Sequence, residues 1–201
     1  MAKSDKRWLR RHVSDAYVRK AQEQGYRSRA AFKLLQIDEK ERLFSPGAVV
    51  IDLGAAPGGW SQVAAKAVGP RGKVIAVDIL ELAPISGVRI LQGDFRDEAV
   101  LAALDGARAD VVLSDLSPNL CGIASVDQAR SAELVLAAID FCRKALKPES
   151  AFVVKAFHGE AFDEVRARLK QCFASIKVVK PPASRGESAE TYVVARSLRA
   201  E

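Results

Sequence analysis

Carboxylates, glycines and one lysine stand just beyond short β-branched runs, and in an open α/β sheet ligands bind beyond the carboxyl ends of the strands. Asp52-Leu-Gly54-Ala-Ala-Pro57-Gly58-Gly59-Trp60 ends the run that starts at Ala48, Asp78 ends the run Lys73–Val77, and Gly93-Asp94 follows Val88–Leu91. Asp115 follows Asp110–Ser114, Lys155 closes Phe152-Val-Val, and Glu190 opens Thr191–Ala195. An acid after a second strand can accept hydrogen bonds from ribose hydroxyls, and glycines let a backbone turn sharply and approach a ligand closely. A lysine closing an apolar run is costly to bury without a carboxylate, so Lys155 requires an acid beside it or an outlet to solvent.

The turn discriminates between two ligands that both carry ribose and adenine. A dinucleotide-binding turn reads Gly-x-Gly-x-x-Gly and presents a helix N-terminus to the pyrophosphate. Here the spacing is Gly54-x-x-x-Gly58-Gly59, with Pro57 inside the turn. S-adenosylmethionine has no pyrophosphate to cradle, so the pattern favours it over a nicotinamide dinucleotide and the oxidoreductase that would use one. Taken alone, the glycines read as tight strand–helix packing. The acids after the second, third and fourth strands argue for a ligand.

The elements that must hold these residues alternate. Strands are expected at 48–53, 73–77, 88–91, 110–114, 151–155, 175–180 and 191–195. Helices are expected at 60–68, 97–104, 126–146 and 161–172, with Lys147-Pro148 as a loop. Two more helices, at 14–24 and 28–43, precede the sheet, the second with an apolar stripe of Ala31, Leu34, Leu35 and Ile37. This alternation predicts an α/β, Rossmann-like fold: a mostly parallel seven-stranded sheet with helices on both faces. Ser45-Pro46-Gly47 is turn chemistry and separates residues 1–44 from a core domain at 45–201.

With 49% hydrophobic and 28% charged residues, the chain folds rather than staying disordered. No apolar run approaches the ~20 residues that span a bilayer, and no apolar stretch follows the basic start, so a cytosolic protein is expected. Cys121, Cys142 and Cys172 show no Cys-x-x-Cys spacing, and His12 and His158 are the only histidines. Neither a disulfide framework nor a metal site is expected from them. Charge is more informative. Residues 1–33 hold ten Lys and Arg, among them Arg7, Arg10 and Arg11, against Asp5, Asp15 and Glu23, a net +7. The whole chain is +6, so residues 34–201 sum to −1. A basic arm interleaved with Trp8, His12, Tyr17 and Tyr26 suits a phosphate backbone and base stacking; alone it reads equally as a solvated tail.

Ser28-Arg-Ala-Ala-Phe-Lys-Leu34, Asp52–Gln62, Ser114-Asp-Leu-Ser-Pro-Asn119, Phe152–Lys155 and Ser184–Tyr192 together resemble the FtsJ/RrmJ-type ribosomal RNA 2′-O-ribose methyltransferases. The likeness runs from about Tyr17 to Ala195. It implies a catalytic tetrad at Lys33, Asp115, Lys155 and Glu190, and S-adenosylmethionine contacts from Gly58, Trp60, Asp78, Asp94 and Asp115. It implies methyl transfer to the ribose 2′-hydroxyl of a uridine in large-subunit ribosomal RNA. The expected substrate is the assembled 50S particle, the product S-adenosylhomocysteine, and the enzyme a monomer whose residues 1–44 bind RNA. Lys155 is the expected base, Asp115 orients it and the methyl donor, and Lys33 and Glu190 support substrate positioning. Leu116-Ser117 and Cys121 depart from the family's loop. Two alternatives carry the same residues: a 2′-O-methyltransferase acting on transfer RNA, and a non-catalytic RNA-binding factor of ribosome assembly.

Overall fold

The computed structural model describes residues 15–118, 121–159, 161–186 and 188–199. Arg7, Trp8, Arg10, Arg11, His12 and Asn119, which the sequence reading drew on, lie outside the described residues. β1 (Val49–Leu53), β2 (Lys73–Asp78), β3 (Val88–Gln92), β4 (Ala109–Ser114), β5 (Leu146–Phe157), β6 (Phe173–Val179) and β7 (Glu190–Leu198) form one sheet in the order β3-β2-β1-β4-β5-β7-β6. Strands β1 to β5 pair in parallel, and β7 runs antiparallel to β5 and β6. This is the mostly parallel seven-stranded α/β sheet expected. Its helices among the described residues are α1 (Ala16–Glu23), α2 (Ala31–Glu41), α3 (Gly59–Val68), α4 (Glu98–Ala103), α5 (Ala124–Ala145) and α6 (Phe162–Cys172).

Side chains alternate across a strand, so residue parity decides which helices each one meets. Ile51, Val112, Phe152, Val154 and Val193 belong to a core shared with α5 and α6, around Ile139, Phe141 and Leu169. Val50, Val111, Leu113, Val153, Tyr192 and Val194 belong to the opposite core, built with Leu34 and Ile37 of α2 and Trp60 and Val63 of α3. Asp52, Asp115, Lys155 and Glu190 share the parity of the second set. Four chemically competent side chains are thereby delivered to the one face that α2 covers.

Register brings them to the same level. Leu53 is opposite Val77 on one side and Ser114 on the other, so Asp78 and Asp115, each one residue further, flank the turn at Gly54. β7 is reversed, and its first residues meet the last residues of β5, with Lys155 opposite Tyr192 and Phe157 opposite Glu190.

Several boundaries differ from the sequence reading: β5 runs past Lys155 to Phe157, β6 starts at Phe173 and β7 ends at Leu198, and two further differences have a visible cause. Lys147-Pro148 is not a loop but the start of β5: Leu146 already pairs with Ala109, and the register jumps before Ala151 meets Val111. The irregularity accommodates Pro148, which has no N–H for a ladder, and the Lys147–Asp110 ion pair at 2.7 Å spans it. The second helix starts at Ala31, not Ser28, with Ala31 N and Phe32 N bonded in tight turns to Ser28 O and Arg29 O. There the indole Nε1 of Trp60 donates to the Ala30 carbonyl at 2.8 Å, and Ser28 lies against Gly59, so the segment follows the glycine turn rather than a helix axis.

Candidate active site

The four tetrad residues form two ion pairs. Lys33 Nζ lies 2.7 Å from Glu190 Oε1, and Lys155 Nζ lies 3.1 Å from Asp115 Oδ1. Lys155 also donates to the backbone carbonyl of Asp115 at 2.8 Å, and Ser184 Oγ donates to Glu190 Oε1 at 3.0 Å. Lys155 is buried, so its amine meets the acid that its position at the end of an apolar run requires.

A fifth residue joins the pairs. The Tyr192 hydroxyl accepts from Lys33 Nζ at 3.1 Å and donates to Asp115 Oδ1 at 2.9 Å. The continuous chain is Glu190–Lys33–Tyr192–Asp115–Lys155. Tyr192 is fully buried, its ring 5.7 Å from that of Trp60. Burial, reinforced by the charges of Asp115 and Glu190, holds its phenol far above the ordinary range, so it remains a hydrogen-bond donor at any working pH. Sequence reading passed over this residue because a tyrosine in a strand reads as β propensity and core. Its spacing of two from Glu190 was the available signal, since i and i+2 share a strand face.

Beside Lys33 and Glu190 lies a recess of about 260 Å³, also lined by Arg29, Arg185 and Ser188. Two guanidinium groups at the rim of a charged, partly enclosed recess suit a phosphate next to a bound nucleotide. Both arginines are drawn to Asp15, the N-cap of α1: Arg29 pairs with its carboxylate, and Arg185 Nη2 lies 3.9 Å from it.

On the other side of Asp115 lies the glycine turn. Gly54 and Gly58 have φ of +70° and +109°, conformations that L side chains rarely adopt. A Cβ at Gly54 would meet Leu116 Cδ2 at 2.2 Å, and one at Gly58 would meet Ile85 Cδ1 at 2.5 Å. The atoms that exclude a side chain here belong to the protein, so packing accounts for both glycines. What points to a ligand is the set of groups around them. Asp78 accepts from Ala56 N and Leu80 N, both at 2.8 Å, which uses two of the about four lone-pair positions of a carboxylate. Ile79 and Leu80, immediately beyond, are 65% and 60% exposed, an apolar ledge that sequence reading did not single out. A carboxylate for a ribose diol beside an apolar ledge for a flat base fits an adenosine moiety.

Three other predicted residues take particular places. The indole of Trp60 is buried against Tyr192 and bonded to Ala30, so its route to a ligand is its backbone N–H in the first turn of α3, where N–H groups lack intrahelical partners. Asp94, beyond β3, pairs through both oxygens with Arg96, which holds its carboxyl below the usual range. Asp52, beneath the turn, accepts from Ser61 Oγ at 2.6 Å; burial pushes its carboxyl up to about 7, with the charges of Asp115 and Asp78 adding to the rise and the Ser61 hydroxyl opposing it.

Arg27 connects the two halves of the site. Its guanidinium donates to the carbonyls of Ala83 at 2.8 Å, Pro84 at 2.6 Å and Pro57 at 3.3 Å, while its backbone N–H donates to Gln62 Oε1 at 2.8 Å. The stretch between α1 and α2 is thereby fastened to the glycine turn. Among the described residues no group of His, Cys, Asp and Glu is placed to hold a metal ion, and no helix is long and apolar enough to cross a membrane.

Known proteins resemble this chain along most of its length. The model of the FtsJ-like methyltransferase family matches residues 26–198. A protein of Marinobacter nauticus named ribosomal RNA large subunit methyltransferase E is 51% identical, over 98% of each chain. One of the same name from Azoarcus sp. is 52% identical, again over 98% of each. A crystal structure from Plasmodium falciparum, described as that of a ribosomal RNA methyltransferase, superposes with a TM-score of 0.77 at 26% identity, covering 88% of this chain and 100% of that one. Aeropyrum pernix fibrillarin, crystallised with natively bound S-adenosyl-L-methionine, shares the fold at a TM-score of 0.60 and 17% identity, over 85% of this chain and 75% of its own.

Proposed function

The chain belongs to the FtsJ-like methyltransferase family, and from that premise we propose that it moves a methyl group from S-adenosylmethionine to the ribose 2′-hydroxyl of a uridine in large-subunit ribosomal RNA. The observation that carries this reading is the buried chain Glu190–Lys33–Tyr192–Asp115–Lys155, which lies between a nucleoside-fitting ledge and an arginine-rimmed recess. The names of the relatives favour ribosomal over transfer RNA and an enzyme over a passive assembly factor.

S-adenosylmethionine, when bound, supplies a methyl group made electrophilic by its positively charged sulfur. Asp78 would hold its ribose hydroxyls, Ile79 and Leu80 would offer an apolar surface to its adenine, and the backbone at Gly58 and Trp60 would complete the site. Asp94 and Asp115 supply further polar contacts. Lys155 is the base that accepts the proton of the ribose 2′-hydroxyl as that oxygen attacks; a hydroxyl is a poor nucleophile until a base relieves it of its proton. Asp115 holds the amine in place through both its carboxylate and its carbonyl. Lys33 and Glu190 border the recess and position the nucleotide, while Arg29 and Arg185 receive the neighbouring phosphate. Holding the attacking oxygen in line is itself worth orders of magnitude in rate.

Residues 1–44 serve as the RNA-binding unit ahead of a methyltransferase domain at 45–201, and the substrate is the assembled 50S particle. The enzyme works as a cytosolic monomer without a metal. Lys155→Met, which keeps the aliphatic stem, tests the reading. Transfer of a labelled methyl group to large-subunit RNA should fall to background while S-adenosylmethionine binding, followed by calorimetry, stays close to wild type. Turnover above a tenth of wild type would remove Lys155 from the role of base.

A further inference from the structure

We propose that the pole of the sheet opposite the active site is a second contact for the phosphate backbone of ribosomal RNA; the inference deepens the function proposed above and rests on it. A groove of about 900 Å³ opens there, lined among the described residues by Arg108, Arg143, Lys144, Arg168 and Arg199 with Asp140 as the one carboxylate, which Arg168 meets at 3.2 Å. Arg108 precedes β4, Arg143 and Lys144 lie in the last turn of α5, and Arg199 follows β7. The groove therefore sits at the amino ends of the parallel strands, away from the carboxyl ends that carry the catalytic chain.

Composition does not account for it. Residues 34–201 carry a net charge of −1, yet among the described residues this one groove gathers five cations against one acid. The adjoining recess at the same pole provides an internal comparison. Arg42, Lys147 and Arg196 there are nearly balanced by Asp110 and Glu149, and Lys147 is paired with Asp110 at 2.7 Å. Cations near the end of α5 are favourable to the helix dipole, which explains Arg143 and Lys144 but not Arg108 or Arg199, which belong to no helix. Those two are anchored by single nitrogens, Arg108 Nη1 to Leu146 O at 3.2 Å and Arg199 Nε to Phe173 O at 3.1 Å. A guanidinium has five N–H donors, so such anchors orient the head without exhausting it. Like charges held together cost self-repulsion, and a polyanion relieves it.

Distance sets what kind of RNA can use this contact. α5 runs from the catalytic side, where Gln128 reaches the His158 carbonyl, to the groove, and its 22 residues span about 33 Å at the rise of an α-helix. A short stem-loop seated at Lys155 does not cover that span. A folded large-subunit RNA or particle does, and so gains affinity that an isolated fragment lacks.

The experiment compares wild type with Lys144→Gln/Arg199→Gln, both exposed side chains. Neutralising two phosphate contacts should lower the slope of log affinity against log salt for the large-subunit particle by about 1.5–2. Affinity for protein-free large-subunit RNA should fall in parallel, while methylation of a short stem-loop, donor binding and melting temperature stay at wild-type values. The charge-preserving pair Lys144→Arg/Arg199→Lys should restore the slope. An unchanged slope on particle and free RNA alike overturns the proposal. So does a loss confined to the particle, which would assign the groove to an acidic protein surface. A wild-type enzyme that methylates no RNA would instead refute the underlying function, and is read separately.

Discussion

Replacing Tyr192 by phenylalanine removes one oxygen atom from the middle of the charged chain and leaves everything else in place. The ring keeps its contact with Trp60 at 5.7 Å, and no cavity opens. Two hydrogen bonds to charged partners vanish, those to Lys33 and Asp115. Each such bond contributes about 1.5–3 kcal/mol net. Lys33 keeps Glu190 and Asp115 keeps Lys155, so the combined loss should lie near the value for one bond, about 2 kcal/mol. For a domain of this size, that lowers the melting temperature by about 4–8 °C. The kinetic effect should be larger in proportion. With the bridge gone, the two ion pairs lose their common anchor, and misplacement by about 1 Å at a reacting centre costs up to about 100-fold. The expected result is a kcat lowered about 10–100-fold with an unchanged KM for S-adenosylmethionine, measured by labelled-methyl transfer alongside a thermal melt. A kcat within about twofold of wild type, at a melting temperature lowered as stated, would show that the bridge stabilises without positioning.

Asp52 carries a carboxyl raised by burial to about 7 in the fold against about 3.8 when unfolded. Its protonated form contributes stability that is complete below about pH 4 and is lost as pH rises through about 7. Asp52→Asn should therefore raise stability relative to wild type more at pH 8.5 than at pH 5 in urea melts; an equal difference at both would refute the assignment. Gly58→Ala forces a Cβ into Ile85 at a φ of +109° and should cost about 1–3 kcal/mol and weaken donor binding. Gly25→Ala, where φ is +72° but nothing lies within 4 Å, should cost less. Neutralising Arg7, Arg10 and Arg11 together should weaken RNA binding and flatten its salt dependence, by filter binding across a salt series; an unchanged slope would return the arm to a solvated tail.

The strands were legible because runs such as Val49–Leu53 and Ala109–Ser114 are mostly apolar, β-branched segments bounded by turns, close to the pattern of strands buried on both faces. The start of β5 was not, because Lys147-Pro148-Glu149 has loop composition, and only an irregular register with an ion pair across it lets the strand begin at Leu146. Asp115, Lys155 and Glu190 were visible as charged residues at strand ends; Lys33, on a helix, was named only through family likeness. Tyr192 was hidden for a physical reason: it is polar at a single atom, and that atom matters only once α2 and β7 bring Lys33 and Asp115 to either side of it. Ile79 and Leu80 were not singled out, because two apolar residues after a strand carry no signal of their own until the fold leaves them in the open.

The reversal of β7 has a consequence for how activity is acquired as the polypeptide is made. Asp78, Ile79 and the glycine turn lie in the first half of the molecule, and the sheet that supports them can close early. Glu190 and Tyr192 arrive on the last strand, entering beside β5 from the opposite direction. A growing chain thus has the makings of a nucleoside pocket long before it has a means of handling the ribose proton. A chain ending between Asp115 and Glu190 would carry the proposed donor contacts and still lack two members of the buried chain that handles the ribose.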